Sequence, residues 1–244
     1  MARRRPPDRF QQLWDVALRV FARKGLRRAR MADIAREMGV SPGSLYNYVE
    51  SKEALFAWLV EHGGEPGPVA APARLPLPTP RPGELVARLR ERLAAGFRLE
   101  RLDAALARRR VQDARGELTD ILHEFWELVV RTRGAIGVVE RSALDLPELF
   151  AIWFADTRRA FFARVTSYVE RRARSGHFRP VADPAVAARL LVESIVFFAR
   201  HRHGDPDPGL LPGDDAVRDV VIPMLAASLV PDTGASARSR GTAC

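Results

Sequence analysis

The stretch MADIAREMGVSPGSLYNYVESK, residues 31–52, decides the fold. Met31, Ile34, Ala35 and Met38 recur at helical spacing and give its first half one apolar side. Gly39 follows at the place where a left-handed residue ends a helix, because glycine has no Cβ to clash there. Val40 turns back toward the core, and Ser41 stands where a side-chain oxygen caps a following helix. Pro42 takes the first helical position, whose N–H would be unpaired in any case. The second helix, expected over 42–48, presents Ser44, Tyr46, Asn47 and Tyr48 around one buried leucine, Leu45. Two short helices joined by a glycine turn, the second with polar and aromatic tips, are a way into the DNA major groove.

Upstream, Phe10, Leu13, Trp14, Ala17, Leu18 and Phe21 follow the i, i+3, i+4, i+7 pattern, so a helix is expected over 9–24 with Asp8 as its cap and Gly25 as its end. Residues 1–7 form a basic, proline-containing arm. Downstream, Ser51 caps a helix over 52–62 whose apolar face is Ala54, Leu55, Trp58 and Leu59. Residues 63–83 carry seven prolines and four glycines and are expected to be a linker between domains. Beyond it the periodicity predicts helices over 84–113, 117–132, 147–175, 184–203 and 214–230, with a kink or break across 133–146. Residues 231–244 are expected to be a disordered polar tail. No strand alternation and no internal repeat is present.

A chain of 244 residues has room for a sizeable core, and an apolar fraction of 47% is ordinary for a globular protein. Its formal charge of +9 is not ordinary. Residues 1–63 hold 12 Lys/Arg against 7 Asp/Glu, a net of +5, whereas residues 83–230 hold 23 against 21, a net of +2. That excess in the helix-turn-helix segment suits a polyanionic partner. Only Lys24 and Lys52 of the 39 basic residues are lysine, so part of the excess reflects a general arginine bias. The lone cysteine, Cys244, excludes a disulfide framework and a cysteine metal cage. No apolar run approaches a membrane span or follows the basic start as a signal peptide would require. A cytoplasmic protein without membrane attachment is expected.

These residues resemble a known family. Leu13-Trp14-Asp15-Val16-Ala17 through Phe21 and Gly25, then Asp33-Ile34-Ala35, Gly39-Val40-Ser41, Gly43-Ser44-Leu45-Tyr46-Asn47-Tyr48 and Ser51-Lys52-Glu53-Ala54-Leu55, look like the DNA-binding domain of the TetR family of bacterial transcriptional regulators. The likeness covers residues 9–62; the rest matches only in layout. The family usually places a pair of hydroxyl residues where this chain has Ala29 and Arg30, and a phenylalanine where it has Val49. The long proline segment is also unusual for it.

The resemblance implies an all-α protein: a three-helix helix-turn-helix DNA-binding domain over 8–62, then a larger helical ligand-binding and dimerisation domain over 84–230. It also implies that Tyr46 and Lys52 clamp phosphates, with Tyr48 and Arg30 as further candidates. Asn47 and Ser44 have the chemistry for base edges, and Ser41, Pro42 and Gly43 allow close approach, with a thymine methyl as an apolar contact. In the second domain Phe97, Leu122, His123, Phe125, Trp126, Trp153 and Phe154 are candidates for a pocket taking an apolar or aromatic effector, although such a stripe is more often plain core. Val186, Leu190, Leu191, Ile195, Phe198, Val217, Val221 and Leu225 supply apolar surface for a homodimer through a four-helix bundle.

Enzyme signatures are lacking. His123-Glu124 has no second histidine at zinc-site spacing, and His201-Arg-His203 with Asp205 and Asp207 lies in a Gly/Pro loop that solvation explains. No glycine-rich phosphate loop or serine elbow is present. No cofactor, metal or catalytic residue is expected. The sequence therefore points to a homodimeric repressor, released from a palindromic double-stranded operator by a small molecule. The rivals are an activator or protein sensor of the same fold, and an enzyme or scaffold that has lost operator binding.

Overall fold

The computed structural model describes residues 7–63, 69, 72–108, 110–207, 209 and 212–231. The expected arm over 1–7 and tail over 231–244 lie outside them, apart from Pro7 and Pro231. The architecture is all-α: α1 (Pro7–Arg28), α2 (Met31–Met38), α3 (Pro42–Leu45), α4 (Lys52–His62), α5 (Glu84–Gly96), α6 (Glu100–Ala107), α7 (Ala114–Ala143), α8 (Pro147–Phe150), a π-helical stretch (Ala151–Arg158), α9 (Arg159–Arg174), α10 (Pro184–Ala199), a 3-10 turn (His201–Gly204) and α11 (Asp214–Leu229). Among the described residues the one β-contact is an isolated parallel bridge between Val49 and Leu77. No helix there is long and apolar enough to cross a membrane.

The chain divides into two compact units, but not at the proline segment. One unit holds the residues up to Phe97 with Arg131–Arg159, and the other holds Arg98–Val130 with the residues from Ala160 onward. The linker expected over 63–83 does not coincide with that division, and the described part of the segment is bound to the first unit. The Leu77 N–H donates to the Tyr48 carbonyl at 2.8 Å, and the Glu50 N–H donates to the Leu77 carbonyl at 2.9 Å. Val69, Leu75 and Leu77 pack on the first unit's core, and the Val69 N–H reaches the Gln11 side chain at 3.0 Å. Prolines cannot build a helix, and the strap they leave must find partners elsewhere for its remaining donors.

In that unit Leu13, Ala17, Val20 and Phe21 of α1 are sealed from solvent with Ile34 of α2, Leu45 of α3 and Leu55 of α4. Trp58 stands edge-on to both Phe10 (4.7 Å) and Trp14 (4.8 Å). α4 buries every residue from Ala54 to Val60, more than the single face expected, because α1 and α5 both pack on it. α1 does not stop at Gly25 but kinks there (φ 72°) and runs on to Arg28. A Cβ at Gly25 would lie 3.1 Å from the Arg141 carbonyl, so the backbone of α7 requires glycine at that kink. Beyond it the Leu26 N–H donates to the Ser142 hydroxyl at 2.9 Å, and Arg28 pairs with Asp145 at 2.6 Å.

α7 corrects the expectation of a break at 133–146. Gly134 and Gly137 keep negative φ and stay helical, each at a cost of about 1 kcal/mol against alanine. Burial of Ala135, Ile136, Val138 and Val139 offsets that cost. The single helix expected over 84–113 is split instead into α5 and α6, with Leu99 turning inward between them.

The second unit buries charge. Arg172 donates through Nε to Glu117 (2.7 Å) and through Nη2 to the Ala105 carbonyl (2.7 Å), and its guanidinium lies 5.2 Å from the centre of the Tyr168 ring. The Tyr168 hydroxyl donates to the same Glu117 oxygen at 3.1 Å, and burial with that carboxylate pushes the phenol above its ordinary range. This lock ties α9 to α6 and α7.

Candidate nucleic-acid interface

α2 starts without the hydroxyl cap the family favours. Arg30 is extended at the cap position, and the cap comes from the other direction: the Asp33 carboxylate accepts the Arg30 N–H at 3.1 Å, one half of a capping box. Lys24 (2.8 Å) and Arg36 (3.1 Å) also pair with Asp33. The hydrogen bond from Lys24, with the Arg30 N–H and the neighbouring cations, holds its carboxyl below the usual range against the opposing effect of burial. Arg23 and Arg19 do the same for Glu37 and so brace α2 against α1. Gly39 closes α2 in the left-handed conformation (φ 67°), as its place in the sequence requires.

The second helix of the motif is shorter than expected. α3 ends at Leu45 and passes into a turn through Tyr48, with the Tyr48 and Val49 N–H groups both on the Leu45 carbonyl (2.8 and 3.1 Å). Ser41 takes the cap position but not the cap bond, since its hydroxyl pairs with that of Ser44 at 2.9 Å. Leu45 and Val49 are fully buried and orient the head. Ser41, Pro42, Gly43, Tyr46 and Asn47 are exposed, while Ser44 and Tyr48 are half-buried. Tyr48 faces Phe10 at 6.4 Å, so it is in part a core aromatic. Tyr46 is 51% exposed. A row of hydroxyl, amide and phenol groups on a buried two-residue anchor can bond phosphates and base edges.

Lys52 has a duty that sequence reasoning missed. Its ammonium donates to the carbonyls of Arg27 and Ala29, both at 3.2 Å, and so caps the frayed end of α1. Ala29 is buried, which explains why a hydroxyl residue is dispensable there. Arg27, Arg28 and Arg30 are exposed where α1 passes into α2.

The seven residues expected to form one effector pocket are divided between the units. Phe97 and Trp153 meet edge-on at 5.0 Å in the first, where Phe154 stacks on Phe150 at 4.9 Å. Among the described residues the buried indole N–H of Trp153 meets no acceptor. Leu122, His123, Phe125 and Trp126 belong to the second unit. There Leu122 and Phe125 line an apolar cavity of about 20 Å³ with Leu99, Leu102, Phe161 and Leu191, while His123 is half-buried and Trp126 is sealed in the core.

The expected dimer residues are also sorted by the fold. Leu191 and Ile195 are buried in their own unit. Val217, Val221 and Leu225 are buried too, but form the floor of an apolar groove of about 360 Å³ that Phe198 also lines. Val186 and Leu190 are exposed as expected, and Phe197, Val220 and Met224 join them. The i, i+4 spacing of Ala216, Val220 and Met224 was the signal that could have found the α11 row.

Comparison with known proteins agrees with this geometry. Residues 13–59 match the family described as bacterial regulatory proteins, tetR family. The match lies within the segment from α1 to α4, which is thus similar to the regulatory domain of that family. The HTH-type transcriptional regulator LuxR of Vibrio harveyi is 42% identical over 57 residues, 23% of this chain and 28% of LuxR, so the chain spans just over a quarter of that relative. The ketosteroid transcriptional regulator KstR2 of Mycobacterium tuberculosis is similar in fold, with a TM-score of 0.58 at 17% identity over 93% of this chain and 98% of that one. A TetR transcriptional regulator family member from Streptomyces coelicolor A3 gives 0.52 at 19% over 88% and 90%. AibR, solved with isovaleryl coenzyme A and operator DNA, gives 0.51 at 16% over 88% and 97%.

Proposed function

We propose that the protein is a homodimeric repressor that leaves a palindromic operator when a small apolar molecule binds. The observation that carries DNA reading is the row of half-buried Ser44 and exposed Tyr46 and Asn47 held on the buried Leu45 and Val49. Tyr46, Tyr48, Arg30 and the remaining Lys52 N–H are assigned to phosphates, and Asn47 and Ser44 to base edges. The mate's α10 and α11 cover Val186, Leu190, Phe197, Val220 and Met224, five large apolar side chains exposed on two adjacent helices. Two-fold symmetry then places the half-sites about one helical turn apart or a multiple of it.

The effector's site is assigned to the second unit around Leu122 and Phe125. A cavity of about 20 Å³ holds no effector as it stands, so binding must open it, and the opened state is the one that releases DNA. That a chain of this fold can take both a small molecule and DNA is supported by AibR, solved with isovaleryl coenzyme A and operator DNA. The small cavity beside a broad apolar face also favours a second reading, in which the signal is a protein rather than a molecule.

Fluorescence-anisotropy titration with DNA from upstream of the protein's own gene, at two salt concentrations, tests the proposal. Sequence-selective binding that Asn47→Ala weakens by about 5- to 100-fold and makes less selective is the expected result. Weak binding that responds to salt alone would reduce the head to a basic surface.

A further inference from the structure

The proline strap over 72–83 meets the chain at the turn that follows α3. α3 has four residues, too few to sustain a helix without outside contacts. Tyr48 lies in the turn that follows α3. The Leu77 N–H donates to the Tyr48 carbonyl at 2.8 Å, and the Leu77 carbonyl accepts the Glu50 N–H at 2.9 Å, so that the strap pairs on both sides of the buried Val49. Two residues on, the Thr79 N–H donates to the Glu50 carboxylate at 2.9 Å, and the Thr79 hydroxyl donates to the Ser51 hydroxyl at 3.0 Å. Ser51 in turn accepts the Ala54 N–H at 3.1 Å and caps α4. Four hydrogen bonds thus hold the four-residue turn from Tyr48 to Ser51, between the reading helix and α4. The strap then runs directly into α5 at Glu84, and α5 packs on α4 and on the π-helical stretch.

We propose that Leu77 and Thr79 are positioning residues for DNA recognition: the strap sets the turn that aims Tyr46 and Asn47, and links that aim to the position of α5. The inference rests on the DNA-reading role of α3. Its arithmetic is simple. If the strap's loss leaves the head correctly aimed for one-tenth of the time, the apparent operator affinity falls tenfold without any lost DNA contact.

The test uses the full chain and a duplex that the wild-type protein selects from a randomised library. Leu77→Pro removes the donor to Tyr48, and Thr79→Val removes the hydroxyl to Ser51 while keeping shape. Selective affinity should fall about tenfold for Leu77→Pro and about threefold for Thr79→Val, with Thr79→Ser restoring wild-type affinity. Binding to random duplex at low salt should change less than twofold, and the amides of Val49 and Glu50 should exchange faster in the free variants. Unchanged selective affinity would overturn the proposal, as would equal loss on selected and random duplexes. A wild-type chain that selects no duplex would instead sink the DNA-reading role, and this inference with it.

Discussion

The two units treat charge in opposite ways. In the first, Asp33 and Glu37 sit at the surface and pair with Lys24, Arg36, Arg19 and Arg23, while the interior is apolar. In the second, Arg172 and Glu117 are drawn inside, with side chains 5% and 8% exposed. Exposed pairs are each worth about 0.2–1 kcal/mol, and a buried pair is costly to break because it leaves one ion unpaired. The difference teaches what each unit is for. A head that meets a polyanion keeps its cations at the surface and its pairs weak. A body that holds three helices in register uses one ion pair as a lock.

That contrast can be broken at several points. Arg172→Ala should cost the largest amount, about 3–5 kcal/mol in chemical denaturation, because Glu117 is left buried without its partner. Arg172→Met combined with Glu117→Leu should recover most of the loss, and a double variant as unstable as the single would show that the lock matters for more than charge. Next, Leu190→Glu with Met224→Glu should leave the protomer's folding unchanged while weakening self-association at least about 100-fold, since both side chains are exposed in one chain. Light scattering across a dilution series reads this directly, and an unaltered mass would remove α10 and α11 as the dimer face.

Smaller effects come from the head. Lys52→Met should lower its stability by about 1 kcal/mol even without DNA, because two carbonyls at the end of α1 lose their donor. A thermal melt equal to that of the wild type would return Lys52 to a phosphate role alone. The smallest effect concerns pH. Asp33 and Glu37 have depressed carboxyl values when folded, so their contribution is complete above the unfolded value near 4 and disappears as pH falls through the folded values. Stability should therefore drop below about pH 4, and Asp33→Asn should flatten that limb; an identical acid limb would mean the pairing contributes nothing.

The comparison also marks how far the chain could be read without its fold. The helices of the head were legible because Phe10, Leu13, Trp14, Ala17 and Phe21, then Ile34, Ala35 and Met38, repeat at the helical period, and because Gly39 and Pro42 punctuate them. So were Tyr46 and Asn47, which a buried Leu45 obliges to face outward. Periodicity says only that a side is apolar, not what covers it. It therefore could not tell that Leu191 and Ile195 face their own unit while Val220 and Met224 face out, nor that Phe97 and Phe125 lie in different units.

The sequence by itself determined the local elements: the glycine-closed turn, the short reading helix, the basic excess of the first 63 residues and the all-α class. Tertiary structure alone decided what the proline segment does, what Lys52 holds and where the chain divides. The reason is range. Caps, periodicity and turn chemistry act within a few residues, whereas the strap's hold on Tyr48 and the lock between Arg172 and Glu117 join groups 29 and 55 positions apart, and only a packed chain brings these together.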